Sequence, residues 1–115
     1  MDHSPEEETA IRSEFERLTH MSSAEIRRWL ETAESRKVGL VRRGESESVG
    51  RQSARRILAI RGKARDDLSD ADYAHMKKVI GYRKRHLAQR PYGDITHTRW
   101  RWSLMNWGHD PLKKV

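Results

Sequence analysis

Cysteine is absent from this chain of 115 residues, which removes disulfides, thiolate metal sites and cysteine nucleophiles together and fits a reducing compartment. Long apolar runs are absent too. No stretch approaches the roughly 18 consecutive apolar residues of a membrane span, and Met1 to Thr9 is acidic where a secretory leader would be basic and then apolar. Secretion and membrane insertion are therefore not expected, and the expected location is cytoplasmic, with the nucleoid as one place within it. No segment alternates apolar and polar residues like a strand, and there is no internal repeat or low-complexity tract. The HExxH, GxSxG, P-loop and GxGxxG signatures are missing, so the chain reads as non-enzymatic and without a cofactor.

What remains is polar but not featureless. Hydrophobic residues make up 35% and charged residues 36%, yet four Trp, three Tyr and one Phe supply the large apolar bodies that disordered chains lack. At this length the expectation is one helical domain over residues 1–115 with flexible ends. Ser4-Pro5-Glu6-Glu7-Glu8 reads as a capped helix start, with Ile11, Phe15 and Leu18 as its apolar stripe to about Thr19. Ser22-Ser23-Ala24-Glu25 has capping-box spacing, and Ile26, Trp29, Leu30 and Ala33 form a second stripe; the two helices are expected to pair antiparallel. Glycines and serines over about 35–48 indicate a mobile loop. A third helix is expected from Ser48–Gly50, with Val49, Ser53, Ile57 and Ile60 inward and Arg51 and Arg55 outward. A fourth, capped by Ser69, carries Tyr73, Met76, Ile80 and Leu87 on one arc and Lys78, Tyr82, Arg85 and Gln89 on the other, and ends at Pro91. A short last helix over about 98–106 is stopped by Gly108. The fold class that follows is all-α, an orthogonal bundle of four to five helices.

Charge is segregated along this layout. Val49 to Arg65 carries +6 with no carboxylate, Tyr73 to Arg90 carries +6 with none, and Asp66, Asp67, Asp70 and Asp72 lie between them. Segregated positive charge attracts polyanions, and nucleic acid is the leading partner class. The helix start at Ser48-Val49-Gly50 offers backbone N–H groups, and with Arg51, Arg55 and Arg56 it forms a candidate phosphate seat. Lys77, Lys78, Tyr82, Arg85 and Gln89 form a second candidate face, and Arg42 and Arg43 in the loop add contacts. Six to eight neutralised phosphates imply a log–log salt slope of about −5 to −7. A homodimer would double such a face.

Other groupings carry blander readings. The aspartate run lacks the EF-hand glycine and terminal glutamate and reads as helix capping, not as a metal site. His75 and His86 stand roughly 16 Å apart along their helix and cannot share a metal. Trp100, Leu104 and Trp107 at helical spacing read as core, leaving Trp102 as the exposed ring; a base-stacking role for the Thr98–Trp107 segment is the competing reading. The alternative function is a helical module that docks an acidic protein, or RNA, on its basic face, anchored by the same segment.

Several stretches carry a family resemblance. They are Glu34-Ser35-Arg36-Lys37-Val38-Gly39, Gly44 to Gly50 leading into Ser53-Ala54-Arg55-Arg56-Ile57, Asp72 to Val79 followed by His86 to Pro91, and Thr98-Arg99-Trp100-Arg101 with Ser103 to Pro111. With these the chain resembles, over most of its length after about Phe15, a small family of bacterial and fungal proteins of unknown function, some of whose members are labelled DNA-binding. The resemblance implies a basic helical protein with DNA as its partner.

Overall fold

Every α-helix among the described residues starts at a serine or threonine whose hydroxyl accepts the backbone N–H three positions on, a contact worth about 1 kcal/mol at each start. A computed structural model of the protein describes residues 3–114. The helices are α1 (Pro5–Leu18, capped by Ser4), α2 (Ser23–Leu30, Ser22), α3 (Ala33–Arg36, Thr32), α4 (Val49–Arg61, Ser48), α5 (Asp70–Leu87, Ser69) and α6 (Arg99–Asn106, Thr98). Reciprocal capping boxes form at Ser22 with Glu25 and at Ser69 with Asp72. A 3-10 turn over Arg65–Asp67 joins α4 to α5, and no strand occurs among the described residues. The protein is an all-α helical bundle.

The bundle closes around α4, which packs on α2, α5 and α6. Ile26, Ile57, Met76 and Val79 sit at or near zero exposure in the main core with Phe15, Trp29 and Trp107; Ile95, Trp100 and Leu104 make a smaller cluster under the end of α5. Trp100, Leu104 and Trp107 are core residues, as their spacing predicts, but Trp102, expected as the exposed ring, packs half-buried against the main core.

Three expectations about packing are corrected. First, α1 lies along α5 instead of pairing with α2. His3, just before α1, lies beside Tyr73 near the start of α5 (6.1 Å), while Arg17 in the last turn of α1 borders one hollow with Arg83 near the end of α5, so the two helices run in the same sense. Parallel neighbours cannot be joined by a short turn, and the chain between them holds α2, α3 and α4. Second, the first part of the 35–48 segment belongs to the core: Ser35 in α3 and Val38 are buried, and exposed irregular chain begins at Gly39. Third, Arg51 is 5% exposed. Its guanidinium donates to Leu30 O (2.7 Å) and Ser35 Oγ (2.8 Å), because the turn linking α2 to α3 covers the side of α4 that periodicity assigns to solvent.

The C-terminal segment returns to the α1–α2 corner. Gly108 adopts φ +80°, Met21 N–H donates to Gly108 O (3.1 Å), and His109 Nδ1–H donates to Leu18 O (3.1 Å).

Candidate functional site

The two cationic blocks differ in how their charge is used. In the first, Glu47 takes Arg51 (3.2 Å) and Arg55 (2.8 Å), and buried Asp72 takes Arg56 (3.1 Å) and Lys63 (2.6 Å). Arg61 is half-buried and donates to Thr19 O and Ser23 Oγ. Two carboxylates outside the block thus pair with four of its cations and cancel two of the four charges. The Arg55 hydrogen bonds, with the Arg51 charge, hold the Glu47 carboxyl below its usual range against the opposing effect of burial. For Asp72 burial pushes upward, but the hydrogen bonds from Lys63, the Ser69 N–H and Arg56 outweigh it and hold the carboxyl well below its usual range.

The second block stays open. Lys77, Lys78 and Arg85 are exposed and form no ion pair among the described residues, and the same is true of Arg42 and Arg43 on the 39–47 segment. Three of these five, Arg42, Lys78 and Arg85, border a single hollow of about 280 Å³. Its walls are Gly39, Leu40, Val49 and Gly50 on one side and Tyr82, Ser103, Asn106 and Trp107 on the other, with no carboxylate. Arg85 folds back over Gly81: a Cβ there would stand 2.9 Å from its Nη1.

Local structure explains why donors face this hollow. In the first turn of α4 the Val49 N–H is taken by Leu40 O (2.8 Å) and the Arg51 N–H by Ser48 Oγ (3.1 Å), which leaves the Gly50 N–H as the free donor at that helix start. The expected phosphate seat is therefore smaller than the sequence suggests, one N–H in place of several and neither Arg51 nor an unpaired Arg55. Gly50 is required for a different contact: a Cβ at this position would lie 3.2 Å from Asn106 Cβ and 3.2 Å from Trp107 Nε1. The indole N–H groups of Trp29 and Trp100 are satisfied by Asn106 Oδ1 (2.8 Å) and His86 O (2.7 Å). That of Trp107, a residue 5% exposed, meets no acceptor among the described residues and borders the hollow.

Rings form a column behind this wall. His75 lies over Trp107 (6.3 Å, 9°), Trp107 over Tyr82 (4.2 Å, 13°), Tyr82 over His86 (5.1 Å, 15°) and His86 over Trp100 (5.8 Å, 11°). Tyr82 is thus half-buried with both faces covered, a correction to its expected place on an outward arc; burial raises its phenol, with Ser103 opposing. Burial holds the His75 imidazole down to about 4, reinforced by the Arg56 and Lys78 cations and opposed by Asp72. His75 is accordingly neutral at pH 7 and hydrogen-bonded to Ser53 Oγ (2.9 Å).

Of the ten residues singled out from the sequence, the hollow gathers Arg42, Lys78, Tyr82 and Arg85. Arg56 borders an adjoining hollow of about 210 Å³ that shares Arg42, Val49, Lys78 and Trp107 with the first. Arg43, Lys77 and Gln89 are exposed outside both, Arg55 is tied to Glu47, and Arg51 is inside the protein. Sequence reasoning missed Gly50, Asn106 and Trp107 as neighbours across the hollow. The only signal was that α4 has glycine where its apolar stripe needs no turn or cap, a mark of close packing.

Fold and hollow together define a small all-α protein with a donor-lined, carboxylate-free cleft between α4, α5 and α6. The chain belongs to the family described as "Protein of unknown function (DUF3140)", whose model matches residues 14–105. No curated protein and no solved structure matches it. No helix among the described residues is long and apolar enough to cross a membrane.

Proposed function

We propose that the protein binds DNA through its phosphates, using the unpaired cations of α5 and the 39–47 segment. The observation that carries this reading is the division of charge: four cations of the first block are ion-paired with two carboxylates of the protein, whereas Arg42, Arg43, Lys77, Lys78 and Arg85 form no ion pair among the described residues, and three of them border a cleft without a carboxylate. Free cations release condensed counterions when they meet phosphates, and internally paired ones release far fewer. Three to five such contacts give a log–log salt slope of about −3 to −5, shallower than an unpaired count of both blocks implies. The alternative of a docking module anchored on tryptophan has less support, since Trp100 and Trp107 are core residues.

The test is fluorescence anisotropy on a labelled mixed-sequence duplex at several salt concentrations. Lys78→Ala with Arg85→Ala should weaken binding by about tenfold or more at low salt and flatten the slope by about 2, while Arg55→Ala should change either by little. Equal loss from the Arg55 variant and the α5 pair would reject the division of charge, and no binding of the parent protein at low salt would reject DNA as the partner.

A further inference from the structure

We infer that the hollow between the 39–42 segment and α5 takes one unpaired nucleotide, with its base inside and its phosphate at the cationic rim. The inference rests on the DNA-binding reading for its partner class and goes beyond it, because a phosphate-only contact leaves the hollow without a purpose.

The argument starts from size and lining. An apolar cavity of roughly 150 Å³ holds a benzene ring, so about 280 Å³ exceeds what a phosphate needs and accommodates a planar base with part of a sugar. A phosphate of an intact duplex lies on a convex backbone and reaches only the rim. The lining matches the two ends of a nucleotide. Leu40 is 69% exposed and stands with Val49 as an apolar wall, and covering it removes water from apolar surface. Arg42, Lys78 and Arg85 supply positive charge, and the Gly50 and Trp107 N–H groups supply donors that the fold leaves unused. The site is rich in donors and free of carboxylates, so its ligand carries acceptors and negative charge.

The aromatic column fixes how the base sits. Both faces of Tyr82 are covered, by Trp107 and His86, so a base meets ring edges and the Leu40–Val49 wall instead of stacking on an open face. Contacts of this kind favour a base of any identity that is already out of a stack. The adjoining hollow toward His75 and Arg56 lets a strand continue beyond the first phosphate. The same chemistry is offered by a free mononucleotide and by an unpaired nucleotide within a strand.

Isothermal titration calorimetry of the full chain at low salt tests this with four probes: inorganic phosphate, adenosine 5′-monophosphate, a single-stranded decamer and the duplex of the same length. The expected result is a nucleotide that binds at least about tenfold tighter than phosphate and a strand that binds at least about tenfold tighter than the duplex. Leu40→Ser, a surface substitution that circular dichroism should show to be folded, should lower nucleotide and strand affinity about fivefold and leave the duplex nearly unchanged. Equal affinity for nucleotide and phosphate, or for strand and duplex, overturns the inference while DNA binding stands. Nucleotide binding without strand or duplex binding keeps the site for a free nucleotide and removes DNA as partner. Failure of all four probes overturns both.

Discussion

Asn106 accepts from Trp29 Nε1 (2.8 Å) and Ser35 Oγ (2.6 Å) and donates to Ser35 O (3.2 Å), while Ser35 Oγ also receives Arg51. This network lies directly behind the cleft and ties α2, α3, α4 and α6 together. Each buried donor left without an acceptor costs about 1–3 kcal/mol, so Asn106→Leu should lower unfolding stability by about 2–4 kcal/mol with the denaturant slope unchanged, as read from urea titration. Arg51 belongs to the same network, which explains why it is an interior residue despite its charge. Its role was not legible from the chain: an arginine on the polar arc of an amphipathic helix reads as solvated, and only Glu47, one turn earlier on the same side, hinted at a partner. Arg42, Lys78 and Arg85 were legible as cations, but that they border one cleft depends on where α6 places Asn106 and Trp107.

At the scale of elements, the caps carried most of the legible information. Ser4, Ser22 and Ser69 begin helices where hydroxyl placement predicts them, because an N-cap is decided by three or four adjacent residues, and Ser48 and Thr98 cap the two helices whose starts apolar periodicity placed there. The short α3 was missed, since four residues give no periodicity, and the α1–α5 contact was missed because nothing local specifies a partner so far along the chain. The stop of α6 was read correctly. Gly108 at φ +80° also packs closely, with a Cβ there 3.2 Å from Thr19 Cβ. Gly108→Ala should therefore cost about 1–3 kcal/mol from backbone strain and crowding, seen as a lower urea midpoint, and should leave low-salt duplex binding intact once folded.

At the scale of the whole molecule, three imidazoles among the described residues are held below their ordinary values chiefly by burial: His75 and His109, each to about 4, and His86. An unfolded chain takes up these protons near pH 6.5, whereas in the folded one His75 and His109 resist until about pH 4. Stability is therefore complete above about 6.5 and declines as pH falls toward 4. Glu25, held down to about 2 first by Lys113 and then by the Ser22 N–H, and Asp72, also held well down, add their losses as pH falls through the ordinary carboxylate range toward their own lower values. Thermal melts from pH 7.5 to 3 should show the melting temperature falling in two stages, and His75→Asn should shrink the first stage more than the second. An unchanged profile in that variant would remove His75 from the upper stage.

The parallel docking of α1 on α5 also has a consequence for synthesis. A ribosome releases α1 before α5, yet the helix that α1 packs along does not begin to emerge until Asp70. At translation rates of roughly 5–20 residues per second, the first helix waits on the order of 3 to 10 s without that partner. Glutamates at its start and polar residues between its apolar positions leave that waiting segment with the charge that opposes association with another nascent chain.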